Sequence, residues 1–125
     1  MSSEKNKNPL DGMVRPDSVA LMLGVYRKFA GEVSDPVAQQ IGLSLLKDII
    51  IRADSELDEM RKAARMNLKV ADTDAFFKGT ALRPICDQVQ PTLEALGMSN
   101  HTATELGREV RSSYLGRVMG IVGGG

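Results

Sequence analysis

The sequence contains one cysteine, one histidine and no tryptophan among its 125 residues. A lone cysteine excludes a disulfide within the chain and a structural zinc site built from several cysteines. No glutamate is followed by a histidine three residues on, so the ligand pairs of di-metal helical bundles are missing. We therefore expect no metal and no cofactor. Cys86 is predicted to be a buried, unreactive thiol, because free cysteines are among the most buried residues.

An excess of charge of one sign is also missing. The 16 basic residues balance the 16 acidic ones, so no global field draws the chain toward nucleic acid or anionic lipid. A near-neutral protein is poorly protected against self-association, which suits a chain that works in a complex.

Long hydrophobic runs are absent as well. No segment approaches the roughly 18 consecutive apolar residues of a membrane span. Residues 1–8 are polar, and no apolar stretch of signal-peptide length follows them. The sequence thus predicts a cytoplasmic protein without a membrane span.

Apolar residues recur at spacings of three and four along most of the chain, and no alternating strand pattern or internal repeat is visible. We predict an all-α fold: a small helical bundle of four to five helices with one long central helix, at about residues 36–70. Residues 1–12 are expected to form a disordered lead, residues 13–122 a single helical domain, and residues 123–125 a flexible tail.

The first helix is predicted to begin at Asp17 or Ser18, whose side-chain oxygens can cap its first turn. Gly31 is predicted to end it. Its expected buried face consists of Val19, Met22, Leu23, Tyr26 and Ala30.

The second helix is predicted to begin at Asp35-Pro36, because proline is well tolerated at the first helical position. No helix breaker follows until about Val70, a run that would reach roughly 50 Å. One face repeats with strict three-four spacing, which is typical of a heptad seam. The residues of this seam are Leu43, Leu46, Ile50, Ala53, Leu57, Met60 and Ala64.

Two interpretations of this heptad seam are open. It could be the core strip of an ordinary bundle, covered by the other helices of the same chain. Alternatively, part of it pairs with a protein partner or with a second copy in a homo-oligomer. We favour the partner interface, because a helix of this length exceeds what the remaining short helices would cover in a compact domain.

The chain beyond Val70 is predicted to contain shorter helices. A segment after Asp72-Thr73-Asp74 is expected to form a brief helix in which Phe76 and Phe77 cap the core. The next helix starts near Thr80, and Pro91 is expected to kink or break it near Gln90, since proline disrupts the preceding turn. Its apolar face consists of Leu82, Ile85, Val89, Leu93 and Leu96.

The last helix follows Gly97 and Ser99-Asn100. Thr102 and Glu105 match a capping box at its start. Its expected apolar side consists of Ala103, Leu106, Val110, Leu115 and Val118. Gly107, Gly116 and Gly120 weaken this helix by about 1 kcal/mol each relative to alanine, so it either needs close backbone contacts there or ends before Gly116.

Catalytic patterns are missing. His101 lies in the predicted turn before the last helix and is expected to be solvent-exposed. A pairing with Cys86 across the hairpin is geometrically conceivable, but the fold would have to bring an orienting carboxylate to it, and nothing else in the sequence resembles a thiol-enzyme site. The sequence contains no HExxH motif, no GxGxxG motif and no phosphate-binding GxxxxGK[ST] loop. We expect a protein that is not an enzyme and has no small-molecule substrate.

Nucleic-acid binding is the alternative function. The last two helices, joined at Gly97, resemble a helix-turn-helix in layout. Arg108 and Arg111 share one face of the would-be recognition helix and are the candidate nucleic-acid contacts. The neighbouring Glu105 and Glu109 would repel phosphate, and the zero net charge differs from the basic footprint of such proteins. A ribbon-helix-helix arrangement around residues 13–15 would have too short a ribbon.

The sequence therefore favours a non-catalytic helical interaction protein: an oligomerising adaptor, a partner chaperone or a subunit of a larger assembly, acting through the seam of its long helix. A small DNA-binding regulator that uses the C-terminal helix pair is the alternative.

Overall fold

The computed structural model describes residues 15–65 and 80–123, with side chains described for 15–62 and 80–121. These two parts of the chain form helices and contain no strand, so the predicted all-α bundle is confirmed. The helices are α1 (Pro16–Glu32), α2 (Pro36–Arg65), α3 (Leu82–Cys86), α4 (Val89–Ala95) and α5 (Asn100–Gly123). Across the described residues, no helix combines the length and the hydropathy that crossing a bilayer requires.

The long second helix is the centre of the bundle. It packs against α1, α3, α4 and α5. It begins where predicted, because Pro36 occupies the first position and the Asp35 carboxylate accepts the Val37 N–H at 3.4 Å. The helix is described to Arg65, so its predicted extension to Val70 lies outside the described residues. The predicted short helix containing Phe76 and Phe77 also lies outside them.

The first helix differs from its prediction at both ends. It begins at Pro16, with Arg15 as its N-cap, and no side chain caps it. Ser18, predicted as a cap, instead lies inside the helix and is fully buried. The helix passes through Gly31 and ends at Glu32, where extended backbone at Val33 terminates it without a left-handed residue.

The buried face of α1 is also rotated from the predicted one. The fully buried residues are Ser18, Met22, Val25 and Phe29. Only Met22 belongs to the predicted face, whereas the other predicted members (Val19, Leu23, Tyr26 and Ala30) are half-buried at its border. The rotation inserts the Phe29 ring into the contact with α2.

Proline divides the helix predicted to start near Thr80 into two, α3 and α4. The break lies at Asp87-Gln88, between α3 and α4, two residues before the position predicted. Pro91 explains it, because a proline ring clashes with the carbonyl four residues earlier, here that of Asp87. Because α3 ends at Cys86, Pro91 falls in the first turn of α4, where proline is tolerated.

The turn between α4 and α5 forms a Schellman motif. Gly97 has a φ of 108°, a region that side chains disfavour, and its N–H donates to the Glu94 carbonyl at 3.0 Å. The Met98 N–H donates to the Leu93 carbonyl at 3.0 Å, and both side chains are buried. This motif reverses the chain so that α5 packs back along α4.

The start of α5 corrects the predicted capping box. Ser99 is the residue whose hydroxyl accepts the Thr102 N–H, at 3.4 Å. Thr102 therefore lies within the first turn and does not cap the helix. The same helix runs without interruption through all three of its weakening glycines to Gly123.

Close packing explains one of these glycines. A Cβ on Gly107 would lie 3.4 Å from the Cβ of Gln90, so its absence lets α5 approach α4. Among the described residues outside the adjoining turns of α5, none has an atom within 4 Å of such a Cβ on Gly116 or Gly120. The apolar side of α5 also includes Tyr114, fully buried where Leu115 was predicted.

Candidate interaction surface

The structure places most of the predicted heptad seam inside this chain. The buried members are Leu46, Ile50, Ala53, Leu57 and Met60, whose exposed fractions range from 0% to 7%. Leu43 is half-buried, and the side chain of Ala64 lies outside the described residues. In the single chain these side chains form the core strip of the bundle, so a partner cannot reach them without opening it.

A polar cluster lies beside this core strip, on the same inner side of α2. It consists of Ser18 from α1, Asp54 from α2, and Tyr114 and Arg117 from α5. The Asp54 Oδ1 accepts hydrogen bonds from the Ser18 hydroxyl at 2.9 Å and from the Tyr114 hydroxyl at 2.8 Å. The Arg117 Nη1 donates to the Ser18 Oγ at 2.9 Å, and its guanidinium stacks 4.5 Å above the centre of the Tyr114 ring.

The polar cluster is saturated and closed. Across the described residues, no buried side-chain nitrogen or oxygen lacks a hydrogen-bond partner. Burial, and then the hydrogen bond to Asp54, raise the pKa of the Tyr114 hydroxyl well above its ordinary value. The cluster therefore joins α1, α2 and α5 through groups that are already hydrogen-bonded.

Cys86 and His101 are not brought together as a reactive pair. The Cys86 side chain is fully buried, as predicted, and burial raises the pKa of its thiol from 9.0 to about 12. His101 lies in the first turn of α5, where it is exposed and lies 3.5 Å from Glu105. Within the described side chains, no three His, Cys, Asp or Glu residues have the arrangement of a metal site.

The two candidate nucleic-acid contacts differ in environment. Arg111 is three-quarters buried and lies 3.3 Å from the Asp87 carboxylate. Arg108 is exposed and forms no ion pair with another described residue. On the same stretch of surface, Glu105 lies 3.5 Å from the His101 ring, and Glu109 is ion-paired with Lys28. The exposed helix surface thus carries both signs of charge, and the geometry adds no observation in favour of nucleic-acid binding.

The outer surface of the first half of α2 is apolar. Val37, Ile41 and Leu45 are 63%, 44% and 41% exposed, although each is a large aliphatic residue. They are spaced by four, so they form one row along three helical turns, which we call the α2 outer row. Single exposed aliphatic residues are common on protein surfaces, whereas an aligned row is typical of a contact surface.

Charge is absent from the same stretch. Residues 36–46 contain no Asp, Glu, Lys, Arg or His, in a chain that is 26% charged. Beside the outer row lies a groove of about 310 Å³, whose described lining consists of Gln40, Leu43, Ser44 and Lys47. Depletion of charge around aliphatic side chains characterises the centres of protein interfaces. This uncharged run is the sequence signal that would have identified the outer row.

The first half of α2 carries apolar residues on its inner side as well as in the outer row. Ala38 and Leu46 are buried, and Gly42 lies so close to the Phe29 ring that an added Cβ would stand 2.4 Å from Cε2. The inner side therefore packs fully on α1. The aliphatic residues of the outer row are in excess of what this contact requires.

No family model, curated protein or solved structure matches this chain.

Proposed function

We propose that this chain is a non-catalytic helical interaction protein that binds a protein partner through its long helix. The predicted role is retained, but the contact residues are moved from the seam to the α2 outer row. The single observation that carries the proposal is the exposed row of Val37, Ile41 and Leu45 on an uncharged stretch of helix.

The energetics favour coverage of this row. Burial of apolar surface contributes roughly 25 cal/mol per Å², so three partly exposed aliphatic side chains represent a useful driving force for association. Helices that recognise protein partners commonly do so through anchors spaced by three or four residues. The α2 outer row has this spacing, and the fold holds it rigid, because the other face of α2 is locked against α1 and the polar cluster.

The proposal includes a cytoplasmic role as an adaptor or assembly subunit. The only cysteine has no partner for a disulfide and is buried, so the fold does not depend on an oxidising compartment. The balanced charge favours recognition by shape and apolar contact over recognition of a polyanion.

Site-specific photo-crosslinking in cells tests the proposal. A photo-reactive amino acid at Ile41 is expected to form a defined protein adduct, because this position is at the centre of the outer row. The matched control is Ser55, which is exposed on the same helix about four turns away. Labelling at Ser55 with the same products, or no adduct at Ile41, would overturn the proposal.

A charge substitution adds a second readout. Ile41→Lys is expected to abolish the adduct formed from a photo-reactive residue at Val37, because a desolvated ammonium group opposes binding. The control Ser55→Lys should leave that adduct intact. Since both positions are exposed, the circular dichroism and the unfolding midpoint should be close to those of the natural chain in each case.

A further inference from the structure

The first helix is separable from the rest of the bundle. It packs against α2, whereas the other four helices are held together by contacts that do not involve it: α2 contacts α3, α4 and α5, and α5 contacts α3 and α4. If α1 left its place, none of these other contacts would be broken.

The site that α1 occupies on the inner side of α2 is complementary to the sequence of α1. Gly42 has no Cβ, and the Phe29 ring fills the space that a side chain there would take. About three turns further along α2, Asp54 accepts a hydrogen bond from the Ser18 hydroxyl at 2.9 Å. A helix that fills this site therefore needs an aromatic ring at one end and a small hydroxyl about three turns before it.

The last helix adds a requirement of charge at both ends of α1. The Arg117 guanidinium lies 3.6 Å from the Asp17 carboxylate, and Glu109 accepts a hydrogen bond from the Lys28 ammonium group at 3.3 Å. The site thus favours a helix with an acid near its start and a base near its end. Besides the chain's own α1, the α1 of a second copy meets all of these requirements.

The linker between α1 and α2 is short and stiff. It consists of three residues, Val33, Ser34 and Asp35, and contains no glycine. Val33 has an extended backbone, with φ of −109° and ψ of 106°, and the residue before a proline, here Asp35, is biased toward extended conformations. Short hinges of this kind favour the exchange of the attached element between copies of a protein.

We propose that α1 exchanges between two copies of this chain, which gives a domain-swapped dimer in which each α1 packs on the α2 of the second copy. Every contact of α1 with α2 and α5 is retained in this dimer, because identical groups meet. The part of the described chain that changes its conformation is the linker. The inference does not depend on the α2 outer row.

Gln39 is the positioning residue that favours the closed linker. Its Nε2 donates to the Val33 carbonyl at 2.9 Å and to the Ala30 carbonyl at 3.3 Å. These bonds join the first turns of α2 to the linker and to the last turn of the α1 of the same chain. Opening the linker separates the partners, so the bonds stabilise the monomer and not the swapped dimer.

The tether sets the concentration at which the dimer forms. A short linker holds its own α1 near the site at an effective concentration roughly in the millimolar range. The natural chain is therefore monomeric at micromolar concentration. The swapped dimer accumulates when the chain is refolded from urea at a concentration near the millimolar range.

Isotope-coded cross-linking of the full chain tests the exchange. Equal amounts of unlabelled chain and chain labelled with heavy nitrogen are unfolded together, refolded at high concentration, and separated into monomer and dimer. A carbodiimide then joins Lys28 to Glu109 without a spacer, and mass spectrometry identifies the two isotopes in each linked pair. In the dimer, about half of these links should join a light chain to a heavy one, whereas in the monomer all should be of one isotope.

Lys62 and Glu59 provide the matched control. Their side chains also lie 3.3 Å apart, but both belong to α2, so their link stays within one chain in any dimer. Mixed isotopes at both pairs would indicate random collision. A dimer with single-isotope links at Lys28–Glu109, or a chain that forms no dimer under these conditions, would overturn the proposal.

A variant pair tests the role of Gln39. Gln39→Ala is expected to raise the dimerisation constant by at least about tenfold, because each chain loses two hydrogen bonds that only the closed linker makes. Gln40→Ala, at the next and exposed position, should leave it unchanged. Sedimentation at several concentrations measures the constant, and the cross-links should show the same mixed isotopes in the enlarged dimer fraction. Equal dimerisation of the two variants, or a Gln39→Ala dimer with single-isotope links, would contradict the exchange of α1 about this linker.

Discussion

Asp54 is the residue on which α1, α2 and α5 converge. Its side chain is 14% exposed, and it accepts hydrogen bonds from Ser18 and Tyr114 while lying 3.5 Å from the Arg117 guanidinium. Removing this carboxylate would leave a buried hydroxyl, a phenol and a cation without their shared acceptor. An orphaned buried polar group costs far more than a lost surface contact.

We therefore expect Asp54→Ala to lower the free energy of unfolding by about 3 kcal/mol. The matched control is Asp58→Ala, one helical turn later, where a 49% exposed carboxylate pairs with Arg15 and Arg61. Such a solvent-screened pair should contribute less than about 1 kcal/mol. Urea denaturation measures the free energy of unfolding of both variants. Similar losses in the two would show that the polar cluster stabilises the fold no more than a surface ion pair does.

Cys86 provides a second prediction for a single residue. Because the thiol is fully buried and its pKa is raised to about 12, almost no thiolate exists in the folded chain at pH 8. A thiol-specific reagent should therefore modify the protein only through unfolding. The labelling rate should rise with urea in parallel with the unfolded fraction; rapid labelling without urea would contradict the burial.

At the scale of the elements, the contact between α1 and α2 depends on a missing side chain. Gly42 lets the fully buried Phe29 ring lie directly against the α2 backbone. The sequence suggests no such role, because a helix-internal glycine on its own predicts only a weakened helix.

Gly42→Ala should consequently destabilise the chain by about 1–3 kcal/mol, since the new Cβ would stand 2.4 Å from a ring atom of the fully buried Phe29. Gly116→Ala is the matched control. Because no described residue from another element has an atom within 4 Å of the added Cβ, this variant should stabilise α5 by up to about 1 kcal/mol. Thermal unfolding followed by circular dichroism measures whether each variant raises or lowers the unfolding midpoint. A higher midpoint for both variants would show that α1 and α2 are less closely packed than described.

The helix ends show which local sequence signals were sufficient to predict where a helix begins or breaks. The start of α2 was predictable from Asp35 and Pro36, because a cap and its helix are neighbours in sequence. Pro91 predicted a break, but its position at Asp87 follows from the clash four residues earlier. Ser99 and Thr102 are both good capping residues, and the helix begins close enough to the reversal at Gly97 that Ser99 is the one that caps it.

For the whole molecule, the two buried titrating groups predict loss of stability in alkali. Cys86 and Tyr114 have ordinary pKa values of 9.0 and 10.0, and both are raised in the folded chain. A group whose pKa is raised by folding stabilises the fold fully below its unfolded pKa, and this contribution is lost as pH rises toward the folded pKa.

The free energy of unfolding should therefore begin to fall above about pH 9, because of Cys86, and fall more steeply above about pH 10, where Tyr114 adds to it. Each group contributes a slope of about 1.4 kcal/mol per pH unit. Urea titrations from pH 8 to 11 measure this slope. In a Cys86→Ala control the decline between pH 9 and 10 should disappear, and its persistence would assign the effect to other groups.

The sequence alone determined the all-α class, the course of α2 from Pro36, the buried thiol and most of the core of α3 and α4. These features depend on periodicity, caps and residue type, which act between neighbours in the chain. The tertiary structure decided the rotation of α1, the polar cluster and the side of α2 that faces solvent. Ser18 and Arg117 meet across 99 residues, and no local pattern encodes such a contact. A helix with apolar residues on two faces does not reveal which face its own chain will cover, because that choice depends on where Phe29 and Tyr114 pack.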